Sequence, residues 1–246
     1  MGPPRPRLSE GILEVWHADL DAAGDAVLRL LSPEEQARAA RFPAALKGTL
    51  WARARGLLRT LLATYLDEDP RRLRFETGAG GKPLLADQAS HRIAFNLSHS
   101  ASHALFAFMH AGAVGVDVER ARPGADRLSL AEHAFGAAAA RRLEPLQPAA
   151  REREFLSMWV RREALVKYTG RGIWEAPASH GASHDTADEH GASKRTSPWI
   201  ASLELGPNMA GAVASAEPPL VLRCWKWRDE RHSRLAAPGG QLAAPN

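Results

Sequence analysis

Hydrophobic and polar positions alternate strictly between residues 113 and 119. The three valines of this segment fall on one side of an extended chain, and its glycine and two acids fall on the other: Val114, Val116 and Val118 against Gly115, Asp117 and Glu119. A period of two predicts a β-strand with one buried face. Residues two apart on a strand share a face at a separation of about 7 Å. The two carboxylates therefore lie side by side.

Two carboxylates at this separation repel each other unless a cation lies between them. A hard cation such as Mg²⁺ binds one or two carboxylates together with waters and phosphate oxygens. Gly115 carries no side chain, so it would leave room for a ligand beside Asp117. The alternative interpretation is a solvated strand face, which is the usual place for alternating acids.

A second periodic segment, Arg151 to Thr169, has a helical pattern and ends at Gly170, a residue typical of the C-cap. Within it Trp159, Glu163 and Lys167 recur every four residues and share one stripe. A Glu and a Lys at this spacing often form only a surface ion pair. If the stripe faces the acidic strand instead, Glu163 and Lys167 add a third acid and a cation to a site for metal and phosphate.

The remaining patterns predict further elements. Ser32, Pro33 and Glu35 are typical of a helix start with a capping box. The other predicted helices cover Leu46–Leu66 and Leu130–Leu143. Predicted strands cover Gly11–Leu20, Leu73–Glu76, Ile93–Leu97, Ala101–Met109, Trp199–Leu205, Met209–Ala216 and Leu220–Trp227. Helices and strands are mixed along the chain, which indicates an α+β fold.

The order of these elements suggests two similar halves, 1–112 and 113–234. The second half contains a segment rich in small, polar and charged residues, 175–198, which we expect to be a flexible insertion. The last residues, 235–246, are expected to form a disordered tail.

The composition of the chain argues against several classes of protein. Of the residues 45% are hydrophobic, the formal net charge is +4 and Cys224 is the single cysteine. No intramolecular disulfide is possible, which favours a reducing, cytoplasmic setting. Segment 93–116 lacks charged residues but holds asparagine, serines and histidines, so we expect no membrane span. The positive charge is too scattered to predict nucleic-acid binding.

Other basic residues are candidates for phosphate contacts. The glycine-rich segment 77–83 ends in Lys82-Pro83, and this proline excludes a Walker motif, which requires Ser or Thr after the lysine. The segment is either a plain hairpin turn or a loop that presents Lys82 to a phosphate. Arg53, with Arg55 and Arg59, lies on a predicted helix, where arginines more often serve solubility.

The ordered motifs resemble those of the Sfp-type 4′-phosphopantetheinyl transferases. The resemblance covers about residues 32–216 and is carried by four motifs: Gly81-Lys82-Pro83, Phe95-Asn96-Leu97-Ser98-His99-Ser100, Gly115-Val116-Asp117-Val118-Glu119 and Trp159-Val160-Arg161-Arg162-Glu163-Ala164-Leu165-Val166-Lys167. It implies two similar α/β-sandwich halves in a pseudo-twofold arrangement, with coenzyme A and Mg²⁺ between them. The family transfers the phosphopantetheine arm of coenzyme A to a serine of an apo acyl or peptidyl carrier protein.

The resemblance also implies roles for individual residues. Metal ligands would be Asp117, Glu119 and Glu163, with Mn²⁺ as a possible substitute for Mg²⁺. Glu163 would also act as the base, and Lys167 would neutralise the leaving pyrophosphate oxygen. Coenzyme A would contact Lys82, Pro83, Ser98 and His99, with Arg38 and Arg53 near its 3′-phosphate. The family architecture implies a monomer.

Two positions differ from the family pattern. Arg162 stands where the family usually has lysine before the helical glutamate, and Ala139 stands where an acid often follows Phe135.

Other interpretations remain open at this stage. Taken singly, His99 is more often a core histidine and Ser98 a turn residue. The same carboxylates would also serve a metal-dependent phosphoesterase that hydrolyses coenzyme A. A third possibility is a catalytically silent module that binds coenzyme A or a carrier protein.

For the transferase, we expect the carrier proteins to belong to polyketide or nonribosomal peptide synthases.

Overall fold

The computed structural model describes residues 8–78, 81–86, 93–122, 124–170 and 197–227. The strands in these residues are β1 (Ile12–Asp19), β2 (Phe75–Thr77), β3 (Pro83–Leu85), β4 (Ala94–Ser100), β5 (His103–Met109), β6 (Val114–Arg120), β7 (Trp199–Leu203), β8 (Met209–Ser215) and β9 (Val221–Lys226). The α-helices are α1 (Pro33–Ala40), α2 (Ala45–Leu66), α3 (Arg127–Phe135), α4 (Ala137–Leu143) and α5 (Pro148–Thr169). A short 3₁₀ helix covers Ala26–Leu30.

Strands form two main sheets. The first has the order β4-β5-β1-β9 and the second has the order β6-β8-β7, while β2 and β3 form a separate hairpin. All neighbours are antiparallel except β1 and β9, which run parallel. The α+β class predicted from the sequence is confirmed.

The two sheets pack face to face between the two long helices. Leu58 and Leu62 of α2 pack on Phe106 in one face of the first sheet. The opposite face of that sheet packs on the second sheet, and Val15 and Val116 belong to the apolar cluster between them. Burial of apolar surface therefore holds α2 on the first sheet and the two sheets on each other.

Helix α5 covers the outer face of the second sheet. Its Val160 and Ala164 pack on Ala212 and Ala214 of β8. Helices α2 and α5 have the same length, 22 residues each, and each packs on one sheet. Each main sheet is therefore covered by one long helix.

Helix boundaries follow local sequence signals. Ser32 Oγ accepts a hydrogen bond from the Glu35 amide, and Glu35 Oε2 accepts one from the Ser32 amide. This is the predicted capping box, which satisfies amides that have no partner inside the helix. Helix α5 ends at Gly170, whose φ of 69° lies in the left-handed region, as expected for a helix C-cap.

One predicted helix is divided. Leu130–Leu143 was expected to be continuous, but α3 ends and α4 begins at Gly136, which has φ 85° and ψ 167°. Few residues other than glycine adopt that conformation, so Gly136 marks the break.

The predicted division of the chain falls in a tight turn between β5 and β6, where Ala111 and Gly112 both have positive φ. Strand β9 lies in the segment assigned to the second half but pairs with β1 in the first sheet. Residues 175–196 of the predicted insertion and the whole predicted tail lie outside the described residues. The division into two halves stays a prediction. Among the described helices, none has both the length and the apolar character that a bilayer crossing requires.

Candidate active site

The acidic strand and the Glu163/Lys167 helix lie against each other because of one glycine. An added Cβ at Gly115 would overlap the carbonyl oxygen of Ala164 and the amide of Tyr168 in α5. Only glycine permits this close approach of helix and strand. The space predicted for a ligand at Gly115 is therefore filled by the α5 backbone, which places the helix directly over β6.

Asp117 and Lys167 meet at this contact. Lys167 Nζ lies 2.7 Å from Asp117 Oδ1 and 2.8 Å from Ser98 Oγ. Ser98 Oγ in turn donates to Asp117 Oδ1 over 2.7 Å. The three side chains thus form a closed triangle of hydrogen bonds between β4, β6 and α5. An ammonium group has three donors, and two of those of Lys167 are used here.

Two carboxylate oxygens beside this triangle are buried without a partner. Asp117 is 4% exposed and Glu163 is 7% exposed. Asp117 Oδ2 and Glu163 Oε1 have no hydrogen-bond partner among the described residues. Burial and the negative charge of Asp117 both raise the pKa of Glu163, and Lys167 and Arg162 oppose them. A buried carboxylate oxygen normally has a donor or a cation beside it.

Glu119 is held by a different hydroxyl group. Ser100 Oγ donates to Glu119 Oε2 over 2.6 Å and accepts from the Arg120 amide over 3.2 Å. The guanidinium of the exposed Arg122 lies 3.9 Å from the same oxygen. Glu119 therefore faces the end of β4, as Asp117 faces Ser98.

The carboxylates around Asp117 form an open set of ligands for the predicted metal. Within the described ranges, no three His, Cys, Asp or Glu side chains converge closely enough to enclose an ion. Asp117, Glu119 and Glu163 thus form no closed protein cage. The unpartnered oxygens of Asp117 and Glu163 nevertheless suit Mg²⁺, which usually takes one or two carboxylates and completes its shell with water and phosphate. The residues present fit a site of that open kind.

Lys82 reaches the same region from the β2–β3 hairpin. Its ammonium donates to Val114 O over 3.3 Å and to Lys167 O over 3.2 Å. Burial and the positive charge of Lys167 lower the pKa of Lys82. Pro83 follows it as the first residue of β3, opposite Thr77. Lys82 therefore joins this hairpin to the last turn of α5 and to β6.

His99 lies on β4 between the two serines, and its side chain is exposed. Although it is exposed, neighbouring protein atoms partly desolvate the ring, and this and the positive charge of Lys167 lower the pKa of His99. An imidazole N–H can donate a hydrogen bond to a phosphate oxygen. The serine cluster, expected before the next strand, is part of β4 itself.

Arg38 and Arg53 make their described contacts with other residues of the first half. The Arg38 guanidinium stacks over the Trp51 ring at 5.1 Å. Arg53 pairs with Asp21 at 3.4 Å and with Asp25 at 3.0 Å. These contacts tie α1, α2 and the segment before them, and none of them involves the carboxylates or Lys167.

The two departures from the family pattern have packing roles. The guanidinium of Arg162 lies 5.6 Å from the centre of the Phe135 ring. Ala139, where an acid often stands, is 7% exposed in α4. Trp159 stacks on Phe155, with the ring centroids 5.9 Å apart.

Sequence reasoning did not single out Asn96 and Ser100 as functional residues. Asn96 Oδ1 accepts from the Val116 amide over 2.9 Å, and Ser100 binds Glu119. The signal available in the sequence is their spacing, since Asn96, Ser98 and Ser100 are alternate residues of one strand and share a face.

Two family profiles match the chain. The profile of the 4′-phosphopantetheinyl transferase superfamily matches residues 113–207. A second profile, described as the N-terminal part of 4′-phosphopantetheinyl transferases, matches residues 15–110.

Individual proteins are similar over much of the chain. The 4′-phosphopantetheinyl transferase HetI of Nostoc sp. is 34% identical over 220 residues, which is 87% of this chain and 92% of that protein. A putative 4′-phosphopantetheinyl transferase of Synechocystis sp. is 36% identical over 144 residues, 58% of either chain. A 4′-phosphopantetheinyl transferase of Bacillus pumilus is 34% identical over 158 residues, 64% of this chain and 63% of its own.

These matches identify a transferase. The chain belongs to the 4′-phosphopantetheinyl transferase family, as the motifs indicated.

Proposed function

We propose that this transferase moves the 4′-phosphopantetheine arm of coenzyme A to a serine of an apo acyl or peptidyl carrier protein and releases 3′,5′-ADP. The reaction is of the holo-acyl-carrier-protein synthase type and depends on Mg²⁺, with Mn²⁺ as a substitute. The observation that carries the proposal is the pair of unpartnered oxygens on Asp117 and Glu163 beside the Lys167 ammonium. That arrangement suits a metal-bound diphosphate.

Asp117 and Glu163 would hold the metal, with Glu119 as a third carboxylate. Bound there, the ion would neutralise charge on the diphosphate of coenzyme A. The protein residues would do the remaining work, because phosphoryl transfer depends mainly on positioning and on charge stabilisation.

Glu163 is the proposed base. Its pKa is raised by burial and by Asp117, which brings it closer to neutrality and makes it a better proton acceptor. The serine oxygen forms a bond to the β-phosphorus of coenzyme A while the bond from that phosphorus to the oxygen bridging the two phosphates breaks. The serine proton passes to Glu163, directly or through water, and the bridging oxygen leaves with 3′,5′-ADP.

Lys167 would stabilise the charge that develops on this leaving oxygen. Two of its donors are engaged by Asp117 and Ser98, which leaves the third for a phosphate oxygen. A fixed cation of this kind stabilises developing charge without reorganising during the reaction.

The other predicted contacts complete the proposed coenzyme A site. Lys82 and Pro83 would meet its adenosine end. His99 and Ser98 would flank its phosphates, although the one proton of the Ser98 hydroxyl is donated to Asp117 in the free protein. Arg38 and Arg53 are the candidates for the 3′-phosphate.

The proposal also covers the location, oligomeric state and pathway of the enzyme. We expect a cytoplasmic monomer that activates polyketide or nonribosomal peptide synthases.

The test is intact-protein mass spectrometry of apo peptidyl and acyl carrier proteins incubated with this protein, coenzyme A and Mg²⁺. We expect a mass increase of one phosphopantetheine arm, abolished by EDTA and absent from carriers in which the acceptor serine is replaced by alanine. Consumption of coenzyme A without carrier modification would instead indicate a phosphoesterase. Binding of coenzyme A with neither result would indicate a silent binding module.

A further inference from the structure

At the candidate site, the end strands of the two packed sheets lie beside each other. Strand β4 is the end strand of the four-stranded sheet and β6 is the end strand of the three-stranded sheet. The two strands run in the same direction, since Asn96 contacts Val116 and Ser100 contacts Arg120. These bonds join side chains of β4 to amides on the open edge of β6.

One face of β4 supplies all of these side chains. Asn96 binds the Val116 amide, Ser98 binds the Asp117 carboxylate and Ser100 binds the Glu119 carboxylate. Ser98 and Ser100 are two residues apart, and so are Asp117 and Glu119. Because alternate residues of any strand have the same spacing, each carboxylate receives its own hydroxyl group.

Ser100 is the residue of this row that makes two hydrogen bonds to β6. Its hydroxyl donates to Glu119 Oε2 and accepts from the Arg120 amide, so both bonds are made to β6. The side chain is buried, at 5% exposure. Glu119 is held at 2.6 Å by this hydroxyl, whereas Arg122 is 72% exposed and lies at 3.9 Å. A charge-assisted bond from a buried hydroxyl is strong and directional, so Ser100 fixes the orientation of Glu119.

We propose that Ser100 is a positioning residue that orients Glu119 toward the metal and coenzyme A diphosphate, so that the site forms only when the edges of the two sheets are in register. The inference rests on the proposed function. Under this proposal, the carboxylates of the second half need a residue from the first half to orient one of them. Residues that orient metal ligands typically change metal affinity or activity by about 10- to 100-fold when replaced.

The test compares three variants. Ser100→Ala removes the hydroxyl, and Ser100→Thr keeps it on a residue suited to a strand. Ser102→Ala is the matched control, because Ser102 lies on the same hairpin and its described contact is made by its backbone carbonyl, which accepts from the Leu20 amide.

Two experiments are carried out on each variant. Calorimetry gives the affinity for coenzyme A with and without Mg²⁺, and carrier modification gives kcat and the Mg²⁺ concentration needed for half-maximal rate. We expect Ser100→Ala to reduce the Mg²⁺-dependent gain in coenzyme A affinity about 10-fold and to raise the Mg²⁺ requirement by a similar factor. Affinity without Mg²⁺ should stay unchanged, and Ser100→Thr should restore most of the loss.

The inference is overturned if Ser100→Ala matches Ser102→Ala in Mg²⁺ dependence. It is also overturned if Ser100→Ala weakens binding equally with and without the metal, since that would be a general structural effect. If the wild-type protein modifies no carrier but shows Mg²⁺-dependent coenzyme A binding that Ser100→Ala weakens, the proposed transfer is wrong and the positioning role stands. Absence of any Mg²⁺-dependent binding in the wild type would refute the positioning role.

Discussion

Asp117 on β6 and Lys167 on α5 form an ion pair of 2.7 Å in which the acid is 5% exposed and the lysine 29% exposed. The Asp117 charge is thus almost removed from water and depends on Lys167 and Ser98 for compensation. Losing the cation leaves a buried charge without a counterion, which costs more than the pair itself contributes.

Replacing Lys167 by methionine should therefore affect both activity and stability. We expect carrier modification to fall at least about 100-fold, because a cation aimed at developing charge is lost. The free energy of unfolding should fall by about 1–3 kcal/mol. Stopped-time mass spectrometry and urea unfolding measure the two effects. Arg142→Ala is the control, since its contact with Glu154 is exposed on both sides; equal stability losses in both variants would contradict the prediction.

Replacing Glu163 by glutamine should separate activity from stability. Burial and Asp117 raise the pKa of Glu163, so the ionised side chain opposes folding at neutral pH in the absence of metal. The amide removes this cost and keeps the shape. We expect an unchanged or higher melting temperature in EDTA, with transfer lowered by about 10² to 10⁴ through loss of the base. Full activity of Glu163→Gln would exclude the proposed role.

Replacing Gly115 by alanine should separate α5 from β6. The new methyl group would overlap backbone atoms of Ala164 and Tyr168, which cannot rotate away. Overpacking of this kind typically costs about 1–3 kcal/mol, and displacement of Lys167 should also remove activity. In the control Gly124→Ala, nothing lies within 4 Å and only the strained backbone, at φ 80°, adds a cost of about 1 kcal/mol. Thermal unfolding of the two variants distinguishes them, and an equal loss would show that α5 can shift freely.

Stability should also depend on pH through His17, which lies on β1, two strands across the first sheet from Ser98. Burial, with the positive charges of His103 and Lys226, lowers the pKa of His17 from 6.5 to about 4, against the opposing charge of Asp19. Between these values the unfolded chain binds a proton that the folded protein excludes. The contribution of neutral His17 to the free energy of unfolding is therefore complete above pH 6.5. It is lost as the pH falls to about 4.

The contribution of His17 to the pH dependence of the free energy of unfolding is measured by denaturant titrations of wild type and His17→Gln at several pH values. Relative to the variant, the wild-type protein should lose on the order of 2 kcal/mol between the upper and lower ends of this window. The exposed His110 provides the control, and His110→Gln should follow the wild type. Parallel pH profiles for wild type and His17→Gln would contradict the prediction.

Local patterns in the sequence predicted the elements that carry the chemistry. The alternation around Asp117 and Glu119, the four-residue spacing of Glu163 and Lys167, and the capping box at Ser32 all depend on residues within a few positions of one another. The structure places them as expected because such short-range preferences survive in the folded chain.

Contacts between distant segments could not be read in the same way. Gly115 was interpreted as an opening for a ligand, because the sequence does not reveal that α5 fills the gap. The pairing of Ser100 with Glu119 depends on how two sheet edges meet, and that register is set by the packed core. Gly136 did carry a visible signal, since glycine inside a helical pattern often marks an interruption.

The parallel pairing of β9 with β1 also bears on how the protein is made. Glu14 is fully buried, and Arg223, 209 residues later, donates a hydrogen bond to it. During synthesis, residues 12–17 must wait for residues 221–226 to leave the ribosome before the first sheet gains its last strand. Contacts so distant in sequence slow folding. Until then the nascent first half exposes the edge of β1, so we infer that the enzyme completes its fold only after nearly all of the described chain has been translated.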